Sequence, residues 1–290
     1  MKKKTIKQLV LIAICFCILL GYQLWDRIRT DTVAPVIQFN DQIPEYSVTA
    51  NESELLAGIT AKDNVDADVS DTLVLESIQM VDPDKRIVSV GIAAFDKSGN
   101  VAKAQRQICY IDYVRPRFQL SKPLIFSANS VIDVTKVIAA TDVIDGDISN
   151  HIRSTIISEG SLTVVGTHDV EFRITNSLGD VVKMTLPVET VNASLFEAKL
   201  TLTDYLIYMD VGDSFNPKSY LDTYTLTSTE TSLKNGLPNG YSLEIVGSVD
   251  TQVPGVYSVD YKVFYTNPNS TAATPKVYTG YSKLIVVVEG

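Results

Sequence analysis

The chain repeats itself at a spacing of about 80 residues, and a period that short holds one small sandwich or barrel per copy. Ala34-Pro35 opens one copy and Arg115-Pro116 opens the next, 81 positions on. Inside the first, Asp63-Asn64-Val65-Asp66-Ala67-Asp68-Val69-Ser70 returns 79 positions later as Asp142-Val143-Ile144-Asp145-Gly146-Asp147-Ile148-Ser149. Near the end of each, Phe95-Asp96-Lys97-Ser98-Gly99-Asn100-Val101 matches Thr175-Asn176-Ser177-Leu178-Gly179-Asp180-Val181 at an offset of 80. Three landmarks at nearly one period indicate a duplication.

The repeating element is a strand. Val170, Phe172 and Ile174 alternate with Glu171, Arg173 and Thr175, which sends one face into a core and the other into water. Val88, Val90, Ile92 and Ala94 do the same in the first copy, before a turn at Lys97-Ser98-Gly99-Asn100 whose Gly and Asn tolerate positive φ. Short strands with turn signals at this spacing predict Greek-key sandwiches. The third region, 191–290, keeps a late alternating strand (Tyr257, Val259, Tyr261, Val263) but lacks the acidic segment. The fold class expected is all-β: tandem immunoglobulin-like β-sandwich domains preceded by one N-terminal transmembrane helix.

The proline opener, the D-x-x-D-x-D-[VI]-S segment and the late hairpin resemble the bacterial immunoglobulin-like modules of Gram-positive surface proteins, of the type also found in certain insecticidal crystal proteins. The resemblance covers residues 34–190 well and the remainder poorly. It implies a sandwich fold with an adhesive or spacer role and no catalytic residues. Asp63, Asp66, Asp68, Asp142, Asp145 and Asp147 match the family's acidic segment, whereas Ala67 departs from the commoner glycine kept at Gly146.

Lys2, Lys3, Lys4 and Lys7 precede an apolar run from Leu9 that is extended through Tyr22 to Trp25. This reads as an uncleaved signal-anchor with a cytoplasmic N-terminus and the following domains outside the cell. The expected layout is a basic tip and anchor at 1–26, a linker at 27–33, immunoglobulin-like domains at 34–113 and 114–190, and a divergent sandwich at 191–290. Cys15 and Cys17 fall in the apolar run, so Cys109 has no partner for a disulfide beyond it. Beyond position 30 stand 19 basic and 33 acidic residues, a net of −14, which argues against nucleic acid as a partner.

Enzymatic constellations are missing from the inventory. The two histidines, His151 and His168, form no H-E-x-x-H or H-x-H arrangement, and no nucleophile elbow or phosphate-binding glycine loop occurs. The chain is expected not to be an enzyme. The acidic segments carry the one candidate site: three carboxylates within six residues can converge on a weakly held Ca2+, or they can cap turns by accepting their own backbone N–H groups. Ten tyrosines in the third region admit a sugar-stacking surface. The function expected is a membrane-anchored stalk that presents a distal module to a surface protein. The alternatives are a carbohydrate- or wall-polysaccharide-binding adhesin module and an accessory subunit of a surface enzyme.

Overall fold

The computed structural model describes residues 2–29, 31–158, 161–192 and 197–290, and divides into two compact units, Met1–Tyr113 and Val114–Gly290. The first unit begins with helix α1 (Lys2–Arg29), whose described apolar side chains, Leu11, Ile14 and Ile18 among them, are exposed. No helix among the described residues is long and apolar enough to cross a membrane. The uninterrupted apolar stretch of α1, residues 9–20, rises only about 18 Å against the roughly 30 Å of a hydrocarbon layer. The expected transmembrane anchor, the single-pass localisation, the membrane as a partner and the anchored-stalk function are corrected on this finding.

Strands β1 (Val36–Gln38) and β2 (Glu45–Tyr46) follow, then the one-turn helix α2 (Glu52–Leu55), β3 (Thr60–Asp63), β4 (Ala67–Asp68), β5 (Val74–Asp82), β6 (Ile87–Phe95) and β7 (Val101–Tyr110). α2 forms because Asn51 and Glu54 make a reciprocal capping box. The strands build two sheets, β1-β3-β4 and β2-β7-β6-β5. Ala61 from the first sheet and Ala94 from the second meet in one core with Val69, Ile37 and Leu73.

The second unit opens with the same architecture. It runs β8 (Arg117–Leu120), β9 (Ile125–Ser127), β10 (Ile138–Asp142), β11 (Gly146–Asp147), β12 (Arg153–Ile156), β13 (Gly166–Thr175) and β14 (Val181–Val191). Sheets β11-β10-β8 and β12-β13-β14-β9 reproduce the order of the first unit, including the parallel pairing of the second strand with the last. The duplication read from three landmarks is thus a duplication of topology. Phe118, Phe172, Ile174 and Leu186 form the centre of this core.

The chain continues through β15 (Ala198–Leu202), β16 (Leu206–Asp210), β17 (Leu221–Leu226), β18 (Thr229–Ser232), β19 (Tyr241–Val246), β20 (Gly255–Thr266) and β21 (Val277–Glu289) into a seven-stranded sheet. β21 is covered on both faces. Ile285 and Val287 join the core around Phe118 and Phe172, while Leu284, Val286 and Val288 join a second core with Tyr224, Val259 and Tyr261. A strand buried on both sides must be apolar at every position, which explains the unbroken run Leu284-Ile285-Val286-Val287-Val288. Polar ties reinforce the junction: Arg117 pairs with Glu289, the Phe118 N–H donates to Tyr208 Oη at 2.9 Å, and buried Lys283 lies 2.7 Å from Glu189. Burial pushes the Tyr208 phenol up to about 12.

Candidate functional site

Each acidic segment folds into a tight turn between two short strands, and most of its carboxylate oxygens are consumed there. Asp63 Oδ2 accepts from the N–H groups of Val65 and Asp66 at 2.7 and 2.9 Å, and Asp142 Oδ1 accepts from those of Ile144 and Asp145 at 2.9 and 3.0 Å. Asp66 Oδ2 takes the Lys97 N–H and Asp145 Oδ2 takes the Ser177 N–H, tying each turn to the late hairpin. Asp68 and Asp147 each accept from the N–H and hydroxyl of the serine two residues on, Ser70 and Ser149. The serine side-chain bonds, then the backbone bonds, hold both carboxyls below the ordinary carboxylate range. The three aspartates of one segment therefore point to different partners.

Asp63 alone of the six also joins a carboxylate cluster. One ligand oxygen from each of Asp31, Asp63 and Asp96 lies within 4.8 Å of the others. Asp31 comes from the segment before β1, Asp63 from the end of β3 and Asp96 from the turn after β6. Asp63 Oδ1 and Asp31 Oδ2 are closed off from solvent and have no hydrogen-bond partner. Asp96 is held by Asn100, whose N–H donates to Oδ1 at 2.7 Å and whose amide donates to Oδ2 at 2.6 Å. Burial of Asp96 opposes its ionisation, but the bonds from Asn100, Gly99 and Ser98 outweigh it and keep the carboxyl below the usual range. The same Asn100 amide donates to the Asp31 carbonyl at 3.0 Å, which orders the approach to β1.

The second unit shows how the duplicated fold neutralises the same place. Ala34 is replaced by Arg115, Asp96 by Asn176 and Asn100 by Asp180. Arg115 grips Asp180 with two bonds, Nε to Oδ2 at 3.1 Å and Nη2 to Oδ1 at 2.8 Å. The Asn176 amide donates to Asp142 Oδ2 at 3.1 Å, so the counterpart of Asp63 has both oxygens satisfied. Asp112, the counterpart of Asp31, accepts instead from Ser47 Oγ and the Val48 N–H. A guanidinium and an amide thus stand in the second unit where the first gathers three carboxylates. Lys97, the cation next to Asp96 in sequence, pairs with Asp66 at 3.2 Å. Orphaned, buried carboxylate oxygens at this separation fit a divalent cation, which takes oxygen ligands at 2.3–2.6 Å and accepts water for the rest of its shell.

His151 is exposed, and His168 is buried with Nε2 2.9 Å from the Val164 carbonyl oxygen. The Cys109 thiol faces the Lys85 carbonyl. Of the third region's tyrosines, Tyr224, Tyr261 and Tyr281 are buried and the other seven are half-buried. Tyr224 sits edge-on to Tyr241 and donates its hydroxyl to the Tyr278 carbonyl, so this ring is part of the core. Asp31 and Asp96 escaped the spacing argument because the cluster draws one residue from each of three separate segments.

No protein-family model matches the chain. An uncharacterised 81.3 kDa protein of Acholeplasma phage L2 is 26% identical over 252 residues, covering 77% of this chain and 33% of the phage protein. The chain thus spans about a third of that relative's length. Among solved structures, the CBM51-2 structure of Clostridium perfringens ZmpB, determined with GlcNAc, aligns over 88% of this chain and 42% of its own at 14% identity and a TM-score of 0.22. Mouse cadherin-23 repeats EC22–24 align over 88% and 99% at 12% identity and a TM-score of 0.20. The protocadherin γB4 ectodomain aligns over 88% and 49% at 8% identity and a TM-score of 0.19. The chain is weakly similar to immunoglobulin-like, cadherin-type β-sandwich domains, and likenesses of this order assign no function.

Proposed function

We propose that this chain is a non-enzymatic, calcium-binding adhesin module that binds carbohydrate, built as sandwiches at 34–113, 114–190 and 191–290 of the bacterial immunoglobulin-like type. The observation that carries the calcium reading is the Asp31, Asp63 and Asp96 cluster with its two orphaned, solvent-closed oxygens. Three carboxylates supply the hard oxygen donors Ca2+ prefers, and carbonyls and water complete a shell of roughly six to eight. Of the six aspartates anticipated from spacing, Asp63 is the one assigned to the ion, and the other five shape the turns. Such a cation joins the segment entering β1 to the β3 and β6 ends of the same unit, which stiffens that unit. Support for the carbohydrate class comes from the polar groove on the second unit, lined by hydroxyl and charged side chains.

Calcium titration of the full chain by calorimetry tests the metal assignment. Binding is expected with a Kd on the order of 10⁻⁴ to 10⁻³ M, the range of extracellular modules. D96N is expected to abolish it while leaving the fold intact, because the second unit carries Asn176 at that position. Calcium binding unchanged in both D63N and D96N would overturn the assignment.

A further inference from the structure

The outer face of the second unit carries a row of cations that its fold does not require. β12 and β13 pair with Arg153 directly opposite Arg173, and β13 and β14 pair with Arg173 directly opposite Lys183. All three side chains are exposed on one face. Like charges placed directly across a ladder, with strands about 4.8 Å apart, destabilise the sheet. The sole acid among the groove's lining residues, Glu171, lies 3.7 Å from Lys183, and neither guanidinium forms an ion pair among the described residues. The two arginines of the row line a groove of about 480 Å³, completed by His151, Thr155, Glu171 and Thr175, with Lys183 outside it.

The duplicated fold supplies the control. In the first unit the same row reads Val74, Ala93 and Lys103, in the same register, and Lys103 is neutralised by Glu76. Two arginines therefore occupy positions where the first unit has an exposed valine and a buried alanine. They do so in a chain whose net charge is −9, where a cluster of one positive sign runs against the composition.

We propose that this groove binds an acidic glycan, a polysaccharide bearing carboxylate or phosphate groups, with Arg153 and Arg173 as its anion-binding residues. This deepens the carbohydrate-binding reading above and rests on it. Guanidinium forks suit carboxylate and phosphate oxygens, while Glu171, Thr155 and Thr175 accept from or donate to sugar hydroxyls. That mixture distinguishes a sugar acid from nucleic acid, whose recognition without sequence preference uses aromatic platforms that this groove lacks. β12 is the edge strand of its sheet, so a long polymer can enter and leave the row from the side.

The test measures retention of the full chain on immobilised polygalacturonate, neutral dextran and single-stranded poly-dT at low and physiological salt. The variant is the double substitution Arg153→Val with Arg173→Ala, which installs the first unit's own residues and keeps the fold. Polygalacturonate is expected to bind in a salt-sensitive way, and the double variant to bind about tenfold or more weakly. Unchanged affinity in the double variant, or tighter binding to poly-dT, would overturn the groove assignment. Binding to dextran alone would keep the carbohydrate reading and sink the acidic-glycan one. Binding to neither polysaccharide would sink both, and the calcium titration would still stand as a separate result.

Discussion

Ala67 and Gly146 occupy the same position of the duplicated acidic turn, and both take left-handed backbone angles, φ 62° and 71°. Glycine reaches that region freely, whereas the Cβ of alanine crowds the following carbonyl. Ala67→Gly is therefore expected to stabilise the first unit by about 1 kcal/mol, read as a rise in urea midpoint at constant slope. At this scale the sequence was informative where a single segment sufficed. The turn-capping roles of Asp68 and Asp147 follow from a serine two residues on, and the spacing displays it. The carboxylate cluster is different, because Asp31, Asp63 and Asp96 become neighbours only when β1, β3 and β6 are in place. Its trace was the exchange of Ala34, Asp96 and Asn100 for Arg115, Asn176 and Asp180 between the copies, a set of differences inside a repeat otherwise read for its likeness.

Strand alternation was readable in Val170 to Thr175 and again in β20, where Tyr257, Val259, Tyr261 and Val263 share the face that packs into the core. What the alternation of one strand does not show is which rings from other strands meet that face. Tyr224 is fully buried, held edge-on by Tyr241 at 5.3 Å and pinned by its bond to the Tyr278 carbonyl, with burial raising its phenol to about 12. No single-strand pattern reveals that β17, β19 and β20 curl their aromatic rings together. The packing leaves a mark on β21 at Gly280, where an added Cβ would meet Tyr224 Cε2 at 2.8 Å and Leu200 Cβ at 3.2 Å. The ring cannot withdraw without losing its hydroxyl bond. Gly280→Ala is accordingly expected to cost about 1 to 3 kcal/mol in denaturant unfolding, and to cost less when introduced into a Tyr224→Leu background than into the unaltered chain.

The whole chain couples its parts unevenly, and unfolding should expose this. Within the second unit β21 lends alternate residues to two cores, so neither core survives without that strand. Residues 114–290 are therefore expected to melt in one cooperative transition, separate from that of residues 1–113. Ile285→Ala removes a side chain only 1% exposed from the core around Phe118 and Phe172. It should lower the second unit's transition by about 2 to 5 kcal/mol without splitting it. Under the proposed assignment, calcium binds the other unit. A ligand bound only by the folded form at about a hundredfold excess over Kd stabilises by about 2.7 kcal/mol, roughly 10 °C for a unit of this size. Scanning calorimetry of the full chain with calcium and with chelator should thus move one transition and leave the other in place. A shift of both together would mean that the two units unfold as one body. A split of the second unit's transition in Ile285→Ala would mean that β21 does not bind its two cores into a single cooperative structure.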